Sequence, residues 1–132
     1  MRILLVDDSR TMRNIQKKVL AAMNVTEFGE AGDGLEALSA IAAAGQQPFN
    51  VILIDWNMPN MDGHTLVGKI REKDKTTPLI MCTTEAEKTR VVEAIKAGVN
   101  NYIIKPFTPE ALLDKVQATL ARVQQQQAAK AA

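Results

Sequence analysis

The chain alternates short apolar runs with longer segments in which apolar residues recur every three or four positions. Runs of that length predict strands, and the longer segments predict helices with one apolar face. The predicted strands are residues 3–6, 26–30, 51–54, 79–82 and 101–104. The predicted helices are about residues 10–23, 35–44, 64–72, 86–97 and 109–124. This alternation favours an α/β fold with a five-stranded parallel sheet and helices on both faces.

The order of the strands follows from their polarity. Residues 26–30 alternate polar and apolar side chains, which favours an edge position. With right-handed crossovers, that choice leads to the order 2-1-3-4-5. Strands one and three are then central neighbours, and the strand order reverses between them. Ligands of doubly wound sheets bind beside the carboxyl ends of the strands at such a reversal.

The composition suits one domain, because 46% of the 132 residues are hydrophobic. We predict that residues 1–123 form this domain and that the low-complexity residues 124–132 form a frayed or disordered tail. The chain could also be cut from a longer protein.

Several classes of protein are disfavoured. The net charge of +1 gives no bulk attraction to nucleic acid or to a membrane surface, and no apolar stretch approaches ~20 residues. The first residues lead directly into a strand without a cleavage site, so they do not indicate a signal peptide. The single cysteine, Cys82, lies in an apolar strand and is expected to be a buried core residue. We therefore expect a cytoplasmic protein without nucleic-acid or membrane partners.

Charged or hydroxyl side chains come at the ends of four predicted strands. Asp7 and Asp8 follow the first strand, Asp55 the third, Thr83 the fourth and Lys105 the fifth. Taken singly, each has an ordinary explanation as a helix cap, a strand residue or a surface charge. Because parallel strands end at the same edge of the sheet, we expect all five side chains to converge. Hard oxygen ligands in that number suit Mg²⁺.

The same group of residues suits phosphoryl transfer. A carboxylate such as Asp55 can accept a phosphoryl group and form an acyl phosphate. The charge that develops would be matched by the metal, by the ammonium of Lys105 and by a hydrogen bond from the Thr83 hydroxyl. Trp56 is expected either to lie over the mouth of the site or to cover apolar surface as an ordinary loop aromatic. His64 is expected to be simply exposed.

Four motifs carry a resemblance to a known family. They are LLVDDS at residues 4–9, DWNMPNMDG at 55–63, CTTE at 82–85 and YIIKPFT at 102–108. With them, nearly the whole chain resembles the receiver domain of bacterial two-component response regulators, and within that family the stand-alone chemotaxis regulators. The resemblance implies a flavodoxin-like (βα)5 domain.

The resemblance also implies roles for single residues. Asp55 would be the phosphoacceptor, charged from a phosphohistidine on a sensor histidine kinase. Mg²⁺ would be held by Asp7, Asp8, Asp55 and the backbone carbonyl of Asn57. Thr83 and Lys105 would contact the phosphoryl group, and the Lys105–Pro106 peptide bond would be cis.

The signal would pass through a switch pair, Thr83 and Tyr102, in which the tyrosine ring turns inward behind the threonine. Asn57 and Glu85 occupy positions that influence how fast the acyl phosphate hydrolyses. The output surface would lie on helix four, strand five and helix five. Its predicted residues are Lys88, Val91, Ile95, Tyr102 and Lys115. The periodicity of helix four also allows Val92 and Ile95 to share the buried stripe instead.

The implied partners are the sensor kinase, an output protein such as the flagellar motor switch, and a phosphatase, with the regulator itself a monomer. Thr84, Glu87 and Thr89 depart from the pattern of the most similar regulators, so the docking partner stays open. A free-standing regulator of another kinase pathway and a phosphate sink are alternatives.

Three other functions compete with this one. An FMN-binding protein of the same fold would need a phosphate loop rich in Ser, Thr and Gly, but the loop here contains Asp7 and Asp8. A phosphohydrolase with an aspartyl intermediate would want an acid two residues after Asp55, where Asn57 stands. A degenerate receiver that only binds protein would not need the complete set of acids.

Overall fold

The computed structural model describes residues 1–84 and 88–131, without the side chains of Lys88, Lys130 and Ala131. These residues form five strands and five α-helices. The strands are β1 (Arg2–Val6), β2 (Glu27–Ala31), β3 (Val51–Asp55), β4 (Leu79–Thr83) and β5 (Asn101–Ile104). The helices are α1 (Arg10–Leu20), α2 (Gly34–Ala44), α3 (Gly63–Lys73), α4 (Lys88–Ala97) and α5 (Pro109–Ala131). Among them, none is both long enough and apolar enough to cross a lipid bilayer.

The strands form one parallel sheet in the order β2-β1-β3-β4-β5, which confirms the predicted topology. The polar strand β2 lies at an edge. Val6, the last residue of β1, is paired with Ile54 of β3, and Asp55 is paired with Cys82 of β4. In this register, the residue that follows Val6 and the residue that follows Ile54 leave the sheet side by side. The register therefore brings Asp7 and Asp55 together.

Both faces of the sheet are buried, as apolar strands in a parallel sheet require. Alternate residues of each strand point to opposite faces, so every strand contributes to two cores. One core joins the sheet to α2, α3 and α4 and includes Leu4, Val6, Ile52, Ile54, Met81, Leu66 and Ala94. The other joins the sheet to α1 and α5 and includes Ile3, Leu5, Leu53, Ile80, Leu20, Leu112 and Val116.

Two helix ends differ from the prediction. α1 ends at Leu20, and a 3₁₀ turn (Ala21–Met23) follows, closed by Asn24 in the left-handed conformation with φ 57°. α5 continues to Ala131, beyond the predicted end near residue 124. Leu120 and Val123 line a cleft beside the loops that precede β3 and β4, and Val123 is buried there. This packing supports the later turns of the helix, and the Gln and Ala residues that follow favour helix.

Candidate functional site

Three carboxylates meet at the carboxyl edge of the central strands. Asp7, Asp8 and Asp55 each offer an oxygen, and these oxygens lie within 4.8 Å of one another. Asp7 is 1% exposed and Asp55 is 8% exposed, whereas Asp8 is open to solvent. The cluster is therefore enclosed on most sides and accessible beside Asp8. The convergence expected from the sequence is confirmed for these three residues.

Lys105 supplies the positive charge of the site. Its Nζ lies 2.7 Å from Asp7 Oδ2 and 3.5 Å from Asp55 Oδ1. The side chain extends from the end of the edge strand β5 over the ends of β4 and β3 to reach Asp7 beside β1. The Lys105 N–H donates to the carbonyl of Thr83 at 2.7 Å, and the Lys105–Pro106 peptide bond is cis, as the resemblance implied.

Burial and charge shift the ionisation of both partners. Burial raises the pKa of the Asp55 carboxyl to about 6, an effect that Lys105 opposes and that repulsion from Asp7 and Asp8 reinforces. Burial would lower the pKa of Lys105, but the hydrogen bond to Asp7 and the attraction of Asp55 outweigh it, so that pKa is raised. Lys105 therefore stays charged at neutral pH, where Asp55 is mostly ionised.

The donor set fits a divalent cation. Three carboxylates and one ammonium leave a net excess of two negative charges in a small space. Carboxylate oxygens are the hard ligands that Mg²⁺ prefers, and it commonly keeps waters besides one or two carboxylates. Asp8 is open to solvent, so water can reach the cluster on that side. Asn57, two residues beyond Asp55, is exposed at the same edge.

Arg13, which is paired with Glu30, contacts the loop that carries Asp7 and Asp8. The sequence did not predict this contact. The Arg13 guanidinium donates to the backbone carbonyl of Asp7 and, at 3.0 Å, to Glu30 Oε1. Lys17 Nζ contacts the second oxygen of Glu30 at 3.0 Å. Both cations lie on α1 at a spacing of four, which is the only signal in the sequence for this contact.

Gly63 determines how closely α3 approaches Asp55. Its N–H donates to the carbonyl of Trp56 at 2.8 Å. A Cβ added at Gly63 would lie 2.3 Å from the backbone oxygen of Asp55, so no side chain fits at this position. Asp62 caps the same helix end by accepting from the Thr65 N–H at 2.7 Å. The motif at residues 55–63 contains this glycine but does not indicate its contact with Asp55.

The predicted switch residues lie on one face of the sheet. Thr83 is 2% exposed at the end of β4, two residues after Met81. Met81 is paired with Tyr102 of β5, so the side chains of Thr83 and Tyr102 point the same way. Tyr102 is half-buried, and Lys115 Nζ on α5 lies 4.9 Å from the centroid of its ring.

One prediction for α4, that Val92 and Ile95 share its buried stripe, is wrong. Ala94 occupies the buried stripe, whereas Val92 and Ile95 are 46% and 54% exposed and Val91 is half-buried. Val92 and Ile95 therefore do not share a buried stripe, because the helix turns Ala94 toward the sheet. Glu85 and the side chain of Lys88 lie outside the described residues.

Trp56 forms a stack that the sequence did not indicate. It is buried, its ring lies 5.4 Å from the ring of His64 at an interplanar angle of 18°, and the Arg90 guanidinium lies 4.8 Å from its centroid. His64 is thus half-buried against Trp56, and the expectation that it is simply exposed is wrong. Cys82 is buried as predicted, and burial raises the pKa of its thiol to about 12.

Comparison with known proteins places this site in a family. Residues 3–117 match the family model described as the response regulator receiver domain. The chain is 46% identical over 122 residues to "Chemotaxis protein CheY1" of Helicobacter pylori, covering 91% of this chain and 97% of that protein. It is 41% identical over 125 residues to "Chemotaxis protein CheY" of Pseudomonas aeruginosa, covering 93% and 98%.

A solved structure supports the same assignment. The chemotaxis protein CheY4 of Vibrio cholerae superposes with a TM-score of 0.81 at 36% identity, covering 89% of this chain and 97% of that one. The matches in sequence and in structure both extend over most of the chain. The chain therefore belongs to the family of response regulator receiver domains.

Proposed function

We propose that this protein is a phosphoacceptor of a two-component system and that Asp55 takes the phosphoryl group from a phosphohistidine of a sensor histidine kinase. The observation that carries the proposal is the cluster of Asp7, Asp8 and Asp55 within 4.8 Å, with Lys105 Nζ bonded to it. Asp7, Asp8, Asp55 and the backbone carbonyl of Asn57 would hold Mg²⁺.

In the proposed transfer, a carboxylate oxygen of Asp55 attacks phosphorus. The new O–P bond forms as the P–N bond to the histidine breaks, and the electron pair of that bond leaves with the imidazole. Bound Mg²⁺ would neutralise charge on the phosphoryl oxygens. Lys105 Nζ, 3.5 Å from Asp55 Oδ1, is near enough to contact one of those oxygens after a small movement.

The chemistry requires Asp55 as the carboxylate, because a protonated carboxyl is a poor nucleophile. Its raised pKa of about 6 leaves it mostly ionised at neutral pH and makes it more basic than an exposed aspartate. Water would later hydrolyse the acyl phosphate, with or without a phosphatase. We assign Asn57 and Glu85 to positions that influence this rate, and Asn57 is exposed beside the cluster.

The proposed signal starts at Thr83. A phosphoryl group on Asp55 would draw the Thr83 hydroxyl toward it, and the vacated space would admit the ring of Tyr102 on the same face of the sheet. An inward turn of that ring would also break its contact with Lys115, which lies 4.9 Å from its centroid. The lysine would then be available to an acidic partner.

The proposed output surface comprises Lys88, Val91, Ile95, Tyr102 and Lys115. Ile95 is 54% exposed and therefore accessible to a partner. Because similar relatives are chemotaxis proteins, we propose the flagellar motor switch as the partner and the cytoplasm as the location. The regulator would act as a monomer and without nucleic acid.

Phosphorylation of Asp55→Asn tests the proposal. Wild type, Asp55→Asn and Asp114→Asn are incubated with a small-molecule phosphodonor and Mg²⁺, and the mass of the intact protein is measured. Asp114 is exposed on α5, so its variant makes the same chemical change away from the cluster. We expect labelling of wild type and Asp114→Asn only. Labelling that persists in Asp55→Asn would reject Asp55 as the acceptor.

A further inference from the structure

The turn before α2 is fixed by its own hydrogen bonds. Asp33 Oδ1 accepts from the Glu36 N–H at 2.8 Å, and Glu36 Oε1 accepts from the Gly32 N–H at 3.3 Å. These bonds are similar to a capping box, except that Glu36 accepts from the residue before the cap, and they satisfy two backbone donors at the start of the helix. The Glu36 N–H and the Asn60 side chain also hold the pKa of Asp33 below its usual value, so the carboxylate is charged.

Asn60 attaches the loop between β3 and α3 to that turn. Its Nδ2 donates to the second oxygen of Asp33 at 2.7 Å, a hydrogen bond strengthened by the charge. The backbone of Asn60 is left-handed, with φ 66°, a conformation that asparagine tolerates better than most residues. The next residue, Met61, packs on Gly34, where an added Cβ would lie 2.8 Å from its side chain.

The loop is therefore held at two points. At its base, Trp56 and Gly63 are joined by a 2.8 Å hydrogen bond next to Asp55. Farther along the loop, Asn60 is hydrogen-bonded to Asp33. Asn57 lies between these two points and is exposed.

We propose that the hydrogen bond from Asn60 to Asp33 positions the backbone carbonyl of Asn57 for the metal, which makes Asn60 a positioning residue for Mg²⁺ affinity. The inference rests on the proposed function, which assigns that carbonyl to the metal. A loop that is ordered before the ion arrives loses less conformational entropy on binding. Removing the bond would leave that ordering to the binding step and weaken affinity.

The test measures Mg²⁺ binding to Asn60→Gly by calorimetric titration. Glycine keeps the left-handed backbone accessible and removes the side-chain donor. Because the ordering of part of this loop would then be left to the binding step, we expect affinity to fall about threefold to tenfold relative to wild type. The matched control is Asn24→Gly. Asn24 is also left-handed, with φ 57°. It precedes the amino end of β2, whereas the acidic cluster lies at the carboxyl ends of the strands, so the affinity for Mg²⁺ should be unchanged.

An exchange of partners separates positioning from a general loss of structure. The double variant Asp33→Asn with Asn60→Asp keeps one donor, one acceptor and the same net charge, and asparagine also caps helices well. We expect it to regain an affinity within about twofold of wild type, well inside the loss expected for the single variant. Thermal unfolding checks that each variant is folded at the titration temperature.

The outcomes are distinct. Equal affinity of wild type and Asn60→Gly, an equal loss in Asn24→Gly, or a double variant as weak as Asn60→Gly would each overturn the positioning role while leaving the proposed function intact. Absence of Mg²⁺ binding by the wild type itself would overturn the proposed function and this inference together.

Discussion

Replacing Asp55 by Asn should stabilise the metal-free protein at neutral pH. The carboxylate is 8% exposed and lies within 4.8 Å of two other carboxylate oxygens, so its ionisation opposes folding. Asparagine has nearly the same shape and no charge. It loses the 3.5 Å contact with Lys105, but Lys105 keeps its 2.7 Å contact with Asp7.

The magnitude follows from the pKa. Burial raises the pKa of Asp55 to about 6, against an ordinary value of 3.8. The difference is about 2.2, and one pKa unit corresponds to about 1.36 kcal/mol, so ionisation costs the folded state at most about 3 kcal/mol. Water and ions reach the cluster beside Asp8 and screen part of this cost. We expect the free energy of unfolding of Asp55→Asn to exceed that of wild type by about 1–2 kcal/mol.

The difference should depend on pH with a definite sign. Because the folded-state pKa of Asp55 is raised, protonation stabilises the wild type fully below pH 3.8, and this contribution is lost as the pH rises through about 6. The advantage of Asp55→Asn is therefore complete above about pH 7 and shrinks below about pH 6. Urea unfolding in EDTA, followed by circular dichroism at several pH values, measures it.

Asp114→Asn again serves as the control, since this exposed residue should change the free energy of unfolding by less than about 0.5 kcal/mol. Added Mg²⁺ should stabilise wild type more than Asp55→Asn, since only the wild type retains all the carboxylates. A lower stability of Asp55→Asn at neutral pH in EDTA, or an advantage that does not change with pH, would refute the electrostatic reasoning.

Two further predictions concern the surroundings of Asp55. Gly63→Ala should destabilise the fold by more than about 2 kcal/mol in urea unfolding, because its Cβ would lie 2.3 Å from the Asp55 carbonyl oxygen. Gly68→Ala is the control in the same helix, because an added Cβ there meets nothing within 4 Å, and it should stabilise the fold by about 0.5–1 kcal/mol. An equal loss of stability in both variants would contradict the close approach of Gly63 to Asp55. Lys105→Ala should bind Mg²⁺ at least as tightly as wild type, because an ammonium 2.7 Å from Asp7 is removed. The phosphorylated form of this variant should nevertheless fail to bind the output partner. Loss of Mg²⁺ binding in a titration would contradict the role assigned to Lys105.

The sequence predicted the sheet and the acidic cluster because both depend on local pattern and simple topology. Apolar runs bounded by polar residues located every strand within one or two residues. Once the strands are parallel, Asp7 and Asp55 must leave the sheet at one edge, whatever the packing of the helices. The polar strand β2 then determined the order.

Contacts between elements could not be predicted in the same way. The contact of Arg90 with Trp56 depends on the angle at which α4 lies on the sheet, and nothing in the local pattern determines that angle. The bond from Asn60 to Asp33 joins two loops whose course is set by tertiary packing. The length of α5 depends on where Val123 finds apolar neighbours, whereas the glutamine-rich composition of the tail indicated only low complexity.

The reach of Lys105 across the sheet has a consequence for the resting protein. A cluster of acids this close would ordinarily make folding depend on a bound cation, because the carboxylates repel one another. Here the chain carries its own counterion, attached 2.7 Å from Asp7. Folding therefore does not require a bound cation, and the proposed binding of Mg²⁺ would be a separate event that follows it.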